Sequence, residues 1–82
     1  MTVLPLRKDL AHYLKIRQLF RKFEKQKSLF EQNPFHPSLN TELLEPHRMR
    51  LWSFRVDRNY RAIFIFIAKD TIEIVDINRH YQ

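Results

Sequence analysis

The sequence predicts an α+β domain, with an N-terminal helix or helical hairpin packed on an antiparallel β-meander sheet. Three observations carry that expectation. Apolar residues recur at three- and four-residue steps through the first third of the chain. The last third holds runs rich in Trp, Phe, Ile and Val, separated by short polar turns. The change from one pattern to the other falls near Asn33-Pro34.

A short strand is expected at Thr2 to Pro5. Next come Leu10, Tyr13, Leu14, Ile16, Phe20, Phe23 and Phe30, with Lys and Arg between them. That spacing fits one long amphipathic helix or a kinked pair broken near Lys15 to Gln18. Asp9 suits a first helical turn, where the exposed N–H groups favour an anion. Asn33-Pro34 ends the pattern, because the residue before proline avoids helical backbone. Pro34, Pro37 and Pro46 bracket an irregular connection from Phe35 to Arg48, long enough to be a functional segment.

Leu51 to Val56, Tyr60 to Ala68 and Thr71 to Ile77 read as strands, with turns at Asp57-Arg58-Asn59 and Lys69-Asp70. In the first, Trp52, Phe54 and Val56 alternate with Leu51, Ser53 and Arg55, so one face is apolar and the other more polar. Trp52 and Phe54 are therefore expected in the core. Tyr60 to Ile67 is apolar on both faces except at Arg61, which marks a central strand. The chain has no glycine, so its turns fall to Pro, Asn and Asp.

Eighty-two residues suit a single domain, 1–82. At this size roughly 60–65% of the unfolded surface is buried, so stability is modest. With 44% hydrophobic residues, 13% of the chain being aromatic, a packed core is within reach and disorder is not expected. The absence of cysteine excludes a disulfide framework and a Cys-based zinc site. Met1 to Leu6 lacks the apolar run of a signal peptide, and no segment reaches the length of a membrane span. A cytoplasmic protein is expected. Fifteen Lys and Arg against nine Asp and Glu give +6, which favours polyanionic partners, nucleic acid first. A basic surface serving solubility alone is equally compatible with that charge.

Four segments, taken in order, resemble the RelE/ParE toxin superfamily: Asn33-Pro34-Phe35-His36-Pro37-Ser38-Leu39, Leu51-Trp52-Ser53-Phe54-Arg55-Val56, Tyr60-Arg61-Ala62-Ile63-Phe64, and Asp76-Ile77 to His80-Tyr81. The resemblance implies a compact toxin, helices on an antiparallel sheet, held inactive by a cognate acidic antitoxin. The active-site pattern is most similar to the YoeB branch, with Trp52, Ser53, Arg55, Arg61, His80 and Tyr81 at matching positions. Glu42 falls where that branch places a catalytic glutamate, with Glu45 as an acidic neighbour. RelE itself carries lysines where this chain has Ser53 and Arg55.

What the resemblance implies is a ribosome-dependent mRNA endonuclease. ParE-like members instead inhibit DNA gyrase without enzymatic chemistry, and an inactive, antitoxin-binding member is a third reading. RNA cleavage through its own 2′-hydroxyl needs a base, a cation at the charged phosphorane and an acid for the leaving 5′-oxygen. No metal, cofactor, small-molecule ligand or membrane contact is expected. Arg61 suits the phosphate, since a charge interrupting an apolar strand faces a cleft or a partner rather than the core. Its alternative is an edge-facing ion pair with Asp57 or Asp76. A three-residue turn at Asp57 to Asn59 would set Arg55 opposite Arg61; a two-residue turn would separate them. His80 titrates near neutrality and suits the acid, Tyr81 offers a stacking face, and Glu42 is the candidate base. Ser53, His47, Arg48, Arg50 and Lys25 are candidate RNA contacts. His36 and His47 also suit loop or capping roles.

Overall fold

The computed structural model describes residues 1–79. Its elements in chain order are β1 (Thr2–Val3), α1 (Lys8–Ile16), α2 (Phe20–Gln32), β2 (Glu42–Leu43), β3 (Trp52–Arg55), β4 (Tyr60–Ala68) and β5 (Thr71–Arg79). Single 3-10 turns at Pro37–Leu39 and His47–Met49 flank β2. The helical zone is thus a kinked pair, and the long connection contains a strand of its own.

The sheet order is β1-β5-β4-β3-β2. β2 to β5 form the expected meander, each pair antiparallel, with β4 in the middle. β1 adds to the far edge, parallel to β5, pairing Thr2 with Thr71 and Val3 with Ile72. The sheet is therefore mixed rather than wholly antiparallel. Parallel neighbours need a long crossover, and here both helices and the whole meander intervene between β1 and β5.

Both helices cover one face of the sheet. Phe30 is fully buried, with ring centroids 5.1 Å from both Phe54 and Phe64, and Phe23 stacks 6.2 Å from Phe54. Leu10, Leu14, Leu19, Ile72, Ile74 and Ile77 belong to the same cluster. Ile16 fits the sequence spacing but is 61% exposed. At 100° per residue it lies about 200° around the helix from Leu14, on the solvent side.

The α1–α2 kink has a defined chemistry. Leu19 N–H donates to Leu14 O at 2.8 Å and Gln18 N–H to Lys15 O at 3.1 Å, the paired bonds of a Schellman turn. Gln18 occupies the position that glycine normally fills, at φ 58°. Asn40 (φ 47°) and Arg50 (φ 55°) close the two 3-10 turns in the same left-handed region. Turns were expected to fall to Pro, Asn and Asp alone; Gln18 and Arg50 depart from this because no glycine is there to take left-handed backbone.

β5 contains a register shift. Ile63 pairs with Asp76 but Phe64 with Ile74, leaving Val75 without a partner. This bulge lets Ile74 and Ile77 both enter the core, and it turns Asp76 and Asn78 to the opposite face. Arg7 Nη1 donates to the Val75 carbonyl at 3.2 Å.

The β3–β4 hairpin is closed by Asp57. Its Oδ1 accepts from the N–H groups of Asn59 and Tyr60, both at 2.8 Å, and Lys22 Nζ donates to Oδ2 at 3.2 Å. Partial burial pushes the carboxyl pKa up. The bonds from Asn59, Lys22 and Tyr60 outweigh it, and the net shift is downward.

Two outcomes follow from these local structures. Gln18→Gly should raise unfolding stability by up to about 1 kcal/mol by removing left-handed strain, read as a higher denaturant midpoint at unchanged slope. Asp57→Ala should lower stability by about 1–2 kcal/mol at pH 7. A depressed carboxyl stabilises above its unfolded pKa of about 3.9, and that contribution is lost as pH falls through the folded value. The gap between wild type and variant should therefore narrow below about pH 4 in denaturation curves taken across that range.

Candidate nucleic-acid site

The helices leave the other face of the sheet uncovered, and the alternation of β3 and β4 decides what it displays. Arg55 pairs directly with Arg61, and Ser53 with Ile63 on one side and Glu42 on the other. These residues share the open face. Asn40, Glu42, Ser53, Arg55, Tyr60 and Arg61 line a shallow cleft there. Ser53 is buried at its floor, Arg61 is half-buried, and Asn40, Glu42 and Arg55 are exposed. The three-residue turn at Asp57 to Asn59, one of two the sequence allowed, produces this pairing.

Glu42 belongs to a strand rather than to an irregular loop, so its direction is set by the pairing with Ser53. Arg61 Nε donates to Asn78 Oδ1 at 3.4 Å, and Asn78 Nδ2 donates to Asp76 Oδ2 at 3.0 Å. Asp76 thus orients the Asn78 amide so that its oxygen meets Arg61. With Nε so used, the two terminal nitrogens of Arg61 remain to take an anion. Neither alternative ion pair forms: Asp57 takes Lys22, and Asp76 takes Asn78. Among the described residues, no carboxylate lies within ion-pair distance of Arg55 or Arg61.

Two guanidinium groups directly opposite on adjacent strands are about 5 Å apart at Cβ. Like charges paired across strands in this way disfavour folding by a few tenths of a kcal/mol to about 1 kcal/mol. A phosphate between them reverses the sign and accepts paired N–H bonds from both. Glu42 places a carboxylate side chain on the same face, across β3 from Arg61.

The remaining sequence candidates are dispersed. His47, Arg48 and Arg50 sit in the turn before β3, at the end of that strand away from Arg55, and His47 Nε2 lies 2.8 Å from Glu45 Oε2. Lys25 points to solvent from α2, in the layer behind the sheet. His36 caps the first 3-10 turn, its Nδ1 accepting from Ser38 N–H at 3.1 Å. Phe54 is fully buried and Trp52 half-buried, stacked 6.4 Å from Phe64, in agreement with a core role. His80 and Tyr81 lie outside the described residues. Among the described residues, no three His, Cys, Asp or Glu side chains gather as a metal cluster, and no helix is long and apolar enough to cross a membrane.

Three residues around the cleft carry no obvious sequence signal. Asn78 reaches it only through the Val75 bulge. Asn40 reaches it through left-handed backbone. Gln26 lies behind it, buried in the apolar stripe of α2 three residues after Phe23.

Charge reversal separates stability from binding at this site. Arg55→Glu replaces a repulsive cross-strand pair with an attractive one, so stability should rise by about 0.5 kcal/mol in thermal or denaturant unfolding. Affinity for a short single-stranded RNA should fall at least tenfold in the same preparation, measured by fluorescence anisotropy.

No family model and no curated protein matches the sequence. Solved structures do match in three dimensions. A YoeB/ParE toxin from Agrobacterium tumefaciens superposes with a TM-score of 0.69 over 99% of this chain and 100% of its own, at 16% identity. The heterotetrameric YoeB-YefM toxin-antitoxin complex from Staphylococcus aureus gives a TM-score of 0.68 over 98% of this chain and 94% of the matched chain, at 17% identity. A second YoeB-YefM complex from the same organism gives the same values. The chain therefore has the YoeB/ParE toxin fold along nearly its whole length.

Proposed function

We propose that this chain is the toxin of a type II toxin–antitoxin pair, and that it acts as a ribosome-dependent mRNA endonuclease. The observation that carries the reading is the direct pairing of Arg55 with Arg61 on the uncovered face, with Glu42 across the same cleft. A fold shared with YoeB toxins, two of them in complex with YefM antitoxin, supports it.

The reaction assigned to this cleft needs no metal. Glu42 accepts the 2′-hydroxyl proton as the 2′-oxygen attacks phosphorus. Arg55 and Arg61 hold the non-bridging oxygens as the phosphorane gains charge. The bond to the 5′-oxygen breaks, leaving a 2′,3′-cyclic phosphate, and the leaving oxygen takes its proton from His80. Tyr81 supplies a stacking face for a base. Ser53 on the cleft floor, with His47, Arg48 and Arg50 further out, contacts RNA, the basic side chains taking phosphates, while Lys25 on the helical layer is left for a more distant phosphate. The partner that restrains the toxin is a cognate acidic antitoxin, and the compartment is the cytoplasm.

Translation of a defined mRNA with and without the protein, followed by primer extension, tests the proposal. Site-specific cuts should appear, and Arg61→Ala should reduce their rate at least a hundredfold with folding intact by circular dichroism. Uncut mRNA at doses that stop growth would overturn the endonuclease. Inhibited DNA supercoiling under those conditions would move the chain to the ParE-like, non-enzymatic reading.

A further inference from the structure

Gln26 is a polar side chain in an apolar stripe, 8% exposed, where Met or Leu would pack equally well. Its Nε2 donates to two backbone carbonyls, Arg55 O at 2.8 Å and Ser38 O at 3.2 Å. Burying an amide is unfavourable unless its bonds are made. Here each bond ends on one wall of the cleft.

The strand register explains why Arg55 O needs a donor from a helix. Glu42 pairs with Ser53, and Leu44 N–H donates to Leu51 O, so residues 51, 53 and 55 direct their backbone groups toward β2. Extending that ladder by two residues would place Asn40 opposite Arg55. Asn40 instead turns left-handed, and its N–H donates to Pro37 O at 3.3 Å. β2 therefore begins only at Glu42, and the Arg55 carbonyl loses the strand donor it would have had. Gln26 takes that place from behind. Its second bond anchors the turn at Pro37–Leu39, which leads into Asn40 and Glu42.

We infer that Gln26 is a positioning residue that keeps the cleft open and fixes the Arg55 wall relative to the Glu42 wall. The inference rests on reading the cleft as the phosphate site. A bond to the backbone of Arg55 sets where its guanidinium starts, and a bond to Ser38 sets where β2 begins. Without the amide, the two carbonyls would lose their donor, and the nearest arrangement that restores one to Arg55 is a longer β2 that brings residue 40 alongside Arg55 and narrows the cleft.

Gln26→Met in the full-length chain tests it, with two readouts. The first is the change in the Arg55 and Arg61 Nε resonances on titration with inorganic phosphate or an uncleavable 2′-O-methyl RNA. The second is the separation of kcat from KM in ribosome-dependent cleavage. The variant should unfold cooperatively, lose most of the Arg55 response, and drop at least tenfold in kcat with KM within threefold. The ground-state affinity survives because phosphate contacts are spread over a basic surface. A variant with reduced melting temperature but unaltered Arg55 response and kcat would make Gln26 merely structural and overturn the inference. Failure of the phosphate reading is separately visible, since the wild type would then show no arginine response to either probe. Should Gln26→Met not fold, Gln26→Asn keeps the amide but is one methylene too short to reach both carbonyls, and carries the same expectations.

Discussion

The register of β3 against β4 decides which side chains enter the core and which enter the cleft. With Arg55 opposite Arg61, Phe54 meets Ala62 and Trp52 meets Phe64; Phe54, Ala62 and Phe64 enter the core and Trp52 packs against it. A slip of one residue would send the arginines inward and the aromatic rings to water, because side chains alternate along a strand. Asp57 holds this register by satisfying three donors at the hairpin: two backbone N–H groups and the Lys22 ammonium, which ties the turn to α2. The packing of Phe30 between Phe54 and Phe64 depends on the same alignment.

Helices on one face only give the fold its working surface. The covered face supplies the stability available to so short a chain, and the uncovered face is free to carry charge. On that face the structure tolerates a feature that opposes folding, two arginines at directly paired positions on adjacent strands. Such an arrangement persists where the surrounding structure over-determines it, and here the β3–β4 register does so. The edges of the sheet are kept short, two residues each in β1 and β2, which limits the backbone open to unintended pairing.

Irregular backbone places the remaining parts of the cleft. The Val75 bulge changes which residues of β5 face outward and delivers Asn78 to Arg61. The left-handed Asn40 keeps β2 from starting before Glu42 and leaves the Arg55 carbonyl to Gln26. Each is a local break in a regular pattern with a polar contact beside it, and each costs about 1 kcal/mol or more if its partner is lost.

Periodicity and composition determined the architecture: a helical stripe, three strands in sequence, a central β4 and a core of Trp52, Phe54 and the β-rich runs. These are legible because burial repeats every 3.6 residues in a helix and every two in a strand. Arg61 was legible as a charge interrupting apolar neighbours, and the YoeB-like pattern pointed to Arg55, Ser53 and Glu42. Tertiary structure alone decided that Arg55 and Arg61 are paired, since the sequence allowed both a two- and a three-residue turn. It alone placed β1 parallel to β5, gave Glu42 a strand, put Ile16 in solvent and separated Lys25 and the His47–Arg50 turn from the cleft. The reason is physical: register, bulges and edge pairing are set by contacts between residues distant in the chain, and a one-dimensional pattern carries no record of which partner each strand will meet.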